Sequence, residues 1–444
     1  MTYPDPLSGI PVSTFSGRRR AAYDDLGEGV MVLPAAPVLK RSRDTDLPYR
    51  PDSELYYVSG VTEAGSVAVL VGGADPRFVL FVPSPDPDTE LWTGPVPGPE
   101  GAAERFGADE TFPLSELPER LPRLLQDGDR IHYRFGRGDG VERMVLEALA
   151  RARMRGPRKG TGPRGVVDPG EILDEMRLVK DVHEIARLRA AAELSVEGQR
   201  AAAGALGPGR GEWMVEAAVD GCFRRGGAAG PAYGTIVGSG PNACVLHYVA
   251  NARVMERGEV VLVDAGAELA LYAGDVTRTW PVDGRFAAAQ RAVYDVVEQA
   301  RASAVDLVGP GVTTARVHDV AVRVLTEGLV ALGVLAGDPD TLVEEGAYKA
   351  WYPHQTSHWI GLDVHDPGDY ARGGAARALE AGMVFTVEPG LYFRADADGP
   401  AKPYAGIGVR IEDDVLVTAG GHENLTRALP TAAEEVEAMV GGRG

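Results

Sequence analysis

The stretch VVLVDAGAELALYAGDVTRTWP, residues 260–281, decides how this chain folds. Val260 to Val263 form an apolar run that ends on Asp264, and Asp275 opens a second β-type run, Asp275-Val-Thr-Arg-Thr-Trp280. Gly266 and Gly274 lie between the two acids, so a hairpin there can return the chain on itself and bring the two carboxylates together. A single acid at a strand end is ordinarily solvated or paired. Two of them at the ends of paired apolar strands need a shared reason, because burying a carboxylate costs several kcal/mol unless its charge is compensated.

Reading outward, Glu171 to Ala203 and Gly211 to Arg225 have the spacing of amphipathic helices, as do Phe286 to Val308 and Thr314 to Leu332. Thr235 to Gly238, Met383 to Glu388, Gly408 to Glu412 and Asp414 to Thr418 are β-type runs. Helices alternating with strands whose spacing suits antiparallel pairing predict an α+β domain over 171–444. Ahead of it, Val67 to Val71 and Arg77 to Val82 read as buried strands, and Leu114 to Leu125 and Val141 to Arg153 as helices. Residues 1–170 are therefore expected to form a smaller mixed α/β domain. The Arg-, Gly- and Pro-rich segment from about Ala150 to Pro169 reads as a linker, and Pro83 to Gly101 as a long loop carrying Trp92.

Composition sets outer bounds. The 444 residues, 44% apolar and 25% charged, suit a globular chain of two to three domains. Cys222 and Cys244 are its only cysteines, which excludes a disulfide framework or a cysteine-based zinc site. With no run of about 18 apolar residues and no leader-like N-terminus, no membrane is expected and the cytoplasm is the expected compartment. The formal charge of −19 opposes phosphate backbones, so no nucleic-acid partner is expected.

The chemistry lies in residues that join the two aspartates. His358 sits in His354-Gln-Thr-Ser-His358-Trp, Glu388 follows an apolar run and precedes Pro389-Gly390, and Glu412 closes Ile407-Gly-Val-Arg-Ile. Arg410, beside Glu412, cannot neutralise four acids alone. A pair of divalent cations can. Four carboxylates and an imidazole suit fairly hard ions, with Mn²⁺ the first expectation and Co²⁺, Zn²⁺ and Fe²⁺ compatible. Two such ions about 3.5–4 Å apart activate water for amide hydrolysis without a covalent intermediate.

These motifs, Asp264-Ala-Gly-Ala-Glu268, Tyr272-Ala-Gly-Asp275-Val-Thr-Arg, Ser357-His358-Trp-Ile-Gly-Leu-Asp-Val-His365, Thr386-Val-Glu388-Pro-Gly-Leu-Tyr392 and Gly408-Val-Arg410-Ile-Glu412, closely resemble the aminopeptidase P branch of the pita-bread metallopeptidases. Val237-Gly-Ser-Gly to His247 and, earlier, Tyr49 to Gly60 and Glu90-Leu-Trp92-Thr-Gly94 extend the resemblance over the whole chain. It implies a pita-bread catalytic domain and release of the N-terminal residue from peptides with proline second. Asp264 would bind one cation, His358 and Glu388 the other, and Asp275 and Glu412 would bridge them. Glu388 would also shuttle a proton, while His247 and His365 flank the scissile bond. The same resemblance has His354 contacting the residue beyond that bond, Tyr233 walling the pocket and Arg410 orienting Asp264. Trp92 would reach a neighbouring subunit's site, implying a homodimer or homotetramer.

The chain departs from the family pattern at Gln355, where glycine is usual, and at Glu54, where an aspartate is usual. Neither is a ligand position. A prolidase-type Xaa-Pro dipeptidase shares all five ligands, but such sequences tend to read His-Gly-Leu-Gly-His where this one reads His354-Gln-Thr-Ser-His358. A ligand-free binding module of the same fold is the third reading, opposed by the filled ligand positions. His132, His183, His318 and His422 carry no motif and are assigned no role.

Overall fold

The computed structural model describes residues 10–136, 140–159 and 162–441, with backbone alone for 155–159. The chain divides between Arg177 and Leu178 into two compact units.

In the first unit a six-stranded mixed sheet is built around Val30–Pro34. That strand pairs antiparallel with Val67–Val71 and parallel with Ile131–His132. Val67–Val71 in turn pairs with Arg77–Val82, so the two expected strands form a hairpin. Val30, Val69, Val79 and Phe81 pack against Leu121, Leu125 and Val145 of the helices Leu117–Asp127 and Gly140–Lys159.

Two expectations change here. The helix Gly140–Lys159 runs through the first half of the segment read as a linker, and Val166–Val167 then adds an edge strand to the sheet. Arg151, Ala152, Arg153 and Met154 are all strong helix formers, which carries the helix past the point where its apolar period fades. Residues 160 and 161 of that segment lie outside the described residues. The stretch read as a loop around Trp92 contains the short helices Pro87–Thr93 and Gly98–Phe106. Asp86 starts the first by accepting a hydrogen bond from the Thr89 amide, with Pro87 at the first helical position.

The predicted single helix over 171–203 is broken where the chain passes from the first unit to the second: Gly170–Leu178 ends, and Val182–Ala205 begins after Asp181. Asp181 and Glu184 form a reciprocal cap, and the intervening Lys180 amide is taken by the Gly382 carbonyl. Lys180 Nζ also pairs with Asp366 at 3.0 Å in full burial.

Three antiparallel β-assemblies make the floor of this unit. Val260–Asp264 lies between Ile236–Ser239 and Thr277–Pro281, with Asp264 opposite Thr277. Val384–Val387 pairs with Asp413–Thr418, and Gly390–Phe393 with Ile407–Arg410. The same two chain segments therefore pair twice, and Glu388 and Glu412 fall at the joints between the two pairings. That geometry brings residues 24 positions apart to one place. The helices Val182–Ala205, Glu212–Arg225 and Ala288–Leu307 close over a core containing Val261, Val263, Phe223, Trp280 and Val297.

The decisive hairpin forms as expected in direction but turns elsewhere. Its tip is Ala270-Leu271, both with left-handed backbone (φ 51° and 73°), between paired residues Leu269 and Tyr272. This is the two-residue turn that matches strand twist, made without glycine. Gly266 and Gly274 serve close approach instead: a Cβ on Gly266 would lie 1.6 Å from the Gly274 carbonyl oxygen. No helix among the described residues is long and apolar enough to cross a membrane.

Candidate metal centre

Asp264, Asp275, His358, Glu388 and Glu412 line one cavity of about 440 Å³, together with Tyr233, His247, His354, His365 and Arg410. Each reaches it by its own route. Asp264 ends its strand, and Asp275 follows the Gly274 close approach with its amide donating to Asp414 Oδ2 at 3.0 Å. His358 is held by its own backbone, its amide donating to Thr386 Oγ1 at 3.1 Å and its carbonyl accepting from Thr386 N at 2.9 Å. Glu388 is fixed by its amide on the Thr356 carbonyl, 2.8 Å, and Glu412 by its amide on the Thr277 carbonyl, 3.1 Å.

The side chains converge. His358 Nε2 is 3.4 Å from Asp275 Oδ2 and 3.7 Å from Glu388 Oε1. Asp275, His358 and Glu412 offer one donor atom each, all within 4.8 Å of one another. Tyr233 hydroxyl lies 2.5 Å from both Asp264 Oδ1 and Asp275 Oδ1, bridging the two carboxylates. Arg410 Nη2 donates to Asp264 Oδ2 at 2.5 Å, its Nη1 to Tyr392 hydroxyl at 3.1 Å and its Nε to Thr277 Oγ1 at 3.2 Å. Arg410 thus compensates Asp264 rather than its sequence neighbour Glu412, whose Oε2 accepts from Thr277 Oγ1 at 2.7 Å.

The electrostatics show a site short of positive charge. Burial pushes Asp264 up despite Arg410, pushes Glu412 well above the carboxylate range, and raises Glu388 to about 7. Burial opposes a proton on His358, yet the hydrogen bond and charge of Asp275, with Glu388, raise it to about 9. Asp414, buried beside Asp275, is likewise pushed well up by burial and by Asp275, and its Oδ1 has no hydrogen-bond partner. Several buried acids facing one guanidinium and one imidazole are the donor set a cation pair satisfies, so the residues fit two divalent ions.

The imidazoles on the rim differ. Burial and then Arg410 hold His354 down to about 4, and its Nε2 lies 2.8 Å from Tyr392 hydroxyl. His365 is lowered by burial and by His358, whose ring centroid is 4.4 Å away. His247 lies on the exposed segment after Gly240–Cys244 and lines the cavity. Trp92 lies in the first unit on Pro87–Thr93, 86% exposed.

Several supporting residues have no local sequence signal. Thr277 links Glu412 to Arg410, and Tyr392 links Arg410 to His354. Glu212, fully buried on another helix, accepts from Ser239 N, Tyr248 hydroxyl and Arg253 N, tying down both ends of the segment that carries His247. His318, given no role from sequence, places Nδ1 2.8 Å from Thr356 Oγ1, next to the carbonyl that fixes Glu388.

Comparison with known proteins agrees with this geometry. Residues 186–419 match the model of metallopeptidase family M24, and residues 15–132 that of the aminopeptidase P N-terminal domain. The Xaa-Pro aminopeptidase of Escherichia coli K12 is 40% identical over 437 residues, 98% of this chain and 99% of that one. The aminopeptidase PepP of Pseudomonas aeruginosa superposes with a TM-score of 0.93 at 41% identity, covering 98% of each chain. Zinc-substituted E. coli aminopeptidase P in complex with product gives 0.92 at 40% identity, covering 97% of this chain and 98% of that one. The fold is therefore the pita-bread metallopeptidase domain behind an aminopeptidase P-type N-terminal domain, and the chain belongs to metallopeptidase family M24.

Proposed function

We infer that this chain is a Xaa-Pro aminopeptidase, a metal-dependent hydrolase that releases the N-terminal residue from peptides with proline at the second position. The observation that carries the reading is the under-compensated acid cluster, Asp264, Asp275, Glu388 and Glu412 with His358, on the wall of a 440 Å³ cavity. Near-full-length similarity to Xaa-Pro aminopeptidases supports the choice of substrate.

Two divalent ions held by these five residues would supply Lewis acidity and lower the pKa of a water in the cavity. The chain's own residues do the rest. The Xaa-Pro amide has no N–H, so the enzyme must recognise the ring by shape and protonate its nitrogen as it leaves. Glu388 is the candidate for that transfer: its carboxyl lines the cavity and is raised by burial to about 7, so it can take a proton from water and pass it to the leaving nitrogen. His247 and His365 stand on the rim, where an imidazole N–H donates to the scissile carbonyl as charge develops on it. His354, held down to about 4 by burial and by Arg410, lines the cavity as a neutral ring braced by the Tyr392 hydroxyl, which suits contact with an uncharged proline ring. Tyr233 and Arg410 donate to the two oxygens of the Asp264 carboxylate, and so would orient it for holding a cation.

We take Mn²⁺ as the first choice of ion, the cytoplasm as the compartment, and a homodimer or homotetramer as the assembly, with Trp92 completing a neighbour's site. The test is a kinetic panel: an Xaa-Pro dipeptide, Xaa-Pro-Yaa and longer peptides, and Xaa-Ala-Yaa, each with chelated and Mn²⁺-restored protein. Cleavage of the Xaa–Pro bond in tripeptides and longer chains, lost on chelation and restored by Mn²⁺, is expected. Turnover of the dipeptide alone would make the protein a prolidase, and absence of metal with no rescue would make it a binding module.

A further inference from the structure

We propose that Gln199 is a positioning residue that sets the separation of the two strands bearing Asp264 and Asp275, and through them the spacing of the cation pair. This rests on the two-metal reading above and goes beyond it, because Gln199 touches neither substrate nor metal.

Gln199 is fully buried on the helix Val182–Ala205. Its amide nitrogen donates twice, to the carbonyl of Val263 at 3.0 Å and to that of Val276 at 2.8 Å. These are the residues immediately before Asp264 and immediately after Asp275. One planar NH₂ group therefore measures the distance between the two ligand-bearing backbones. The amide oxygen accepts from Trp280 Nε1 at 3.2 Å. That third contact fixes the orientation, since a flipped amide would set its oxygen against two carbonyls and its NH₂ against an indole N–H.

Where the two ligands sit, the strand ladder is interrupted and its backbone hydrogen bonds are fewer. Its regular register ends at Asp264 opposite Thr277, and Asp275 lies outside the strand. Beyond that point Ala265 N donates to the Val276 carbonyl at 3.2 Å and Gly274 N to the Ala267 carbonyl at 3.0 Å, and the helix adds two side-chain contacts, from Gln199 and, one helical turn earlier, from Ser195, whose Oγ accepts from Ala267 N at 2.9 Å. The helix thus acts as a ruler under the hairpin, with two polar side chains on one face.

Substitution separates positioning from folding. Gln199→Met keeps length and apolar packing but removes both donors. Trp280→Phe removes the contact that orients the amide but keeps both donors on Gln199; Trp280 is fully buried, so a fall in melting temperature from lost packing is expected as well. Thr326→Val serves as the control: Thr326 is fully buried and bonded only within its own helix, to the Val322 carbonyl.

Mn²⁺ is titrated calorimetrically into the metal-stripped full-length protein, and the loaded protein is examined by electron paramagnetic resonance for the exchange-coupled Mn²⁺ pair. Gln199→Met is expected to weaken the second Mn²⁺ at least tenfold and to change the coupled spectrum. Trp280→Phe should move both in the same direction by roughly threefold, and Thr326→Val should lower only the melting temperature. Second-site affinity within threefold of the parent and an unchanged coupled spectrum in Gln199→Met overturn the proposal. If Gln199→Met does not fold, parental values in Trp280→Phe overturn it. A parent that binds fewer than two Mn²⁺ overturns the two-metal reading and this role together, whereas a parent with a coupled pair and insensitive variants overturns this role alone.

Discussion

Replacing Asp413 by Asn removes one negative charge from a fully buried network and leaves two guanidinium groups facing each other across it. Asp413 Oδ1 accepts from Arg278 Nη2 and from Thr426 Oγ1, both at 2.8 Å. Its Oδ2 accepts from Arg301 Nη1 at 2.8 Å and Asn424 Nδ2 at 2.9 Å. Burial would raise this carboxyl, but Arg278 and Arg301 hold it down to about 2, from an ordinary 3.8. That difference favours the charged form by ~2–3 kcal/mol. Arg301 keeps its pairing with Glu298, whereas Arg278 loses its carboxylate partner and is left with carbonyl acceptors, which brings the total cost of Asp413→Asn to ~3–5 kcal/mol. For a unit of this size the melting temperature should fall by roughly 6–15 °C. The sign with pH follows. The folded pKa lies below the unfolded one, so this stabilisation is complete above about pH 4 and is lost as pH falls toward 2. Parent and variant should therefore differ fully at pH 7 and converge only as pH reaches about 2, as measured by circular-dichroism melting. The chemistry is coupled to the same network: Arg278 Nη1 also donates to the Thr277 and Glu412 carbonyls, so the variant should bind metal more weakly. A melting temperature within ~2 °C of the parent at pH 7 would refute the reasoning.

Other perturbations should give equally specific results. Gly266→Ala places a methyl against the Gly274 carbonyl, so the hairpin must open and Asp264 must leave Asp275; turnover of Xaa-Pro-Yaa should fall by ~100-fold or more, and near-parental turnover would contradict the close-approach role. Arg410→Lys can replace only one of three directed contacts, to Asp264, Tyr392 and Thr277, and should lower turnover by ~10–100-fold; kinetics at saturating Mn²⁺ will check this. Glu212→Gln should lower kcat by ~10-fold with metal content unchanged, because it loosens only the segment carrying His247, and a loss of bound metal would redirect its role. Activity should lean alkaline: His358 must shed a proton that its neighbours hold up to about 9 before it can ligate, so cation affinity rises with pH. A rate maximum near pH 5 in Mn²⁺-saturated assays would count against this mechanism.

The acids were legible because each ends or interrupts an apolar run, where a charge has no other reason to be. Asp264, Asp275, Glu388 and Glu412 all carry that signal, and all line one cavity. Their partners were not legible. Thr277 and Glu412 are separated by 135 positions, and Gln199 lies 64 before Val263, so no local period or spacing joins them. Nor does adjacency assign partners: Arg410 is two residues from Glu412 yet pairs with Asp264, because alternate strand residues are redirected where the chain passes from one pairing to the next. Local signals were sometimes present and outvoted. Asp181 with Glu184, and Asp86 before Pro87, are capping patterns that mark helix starts inside stretches read by their bulk composition as continuous helix and as loop.

The tip of the metal-bearing hairpin carries a last implication. Ala270 and Leu271 adopt a backbone that costs an L-residue about 1–2 kcal/mol each, and neither lines the cavity. Leu271 is 7% exposed and repays part of this by packing, whereas half-buried Ala270 has little to pack. Position 270 is thus a reserve for thermostable variants: glycine or asparagine there relieves conformational tension while every group facing the peptide stays as it is.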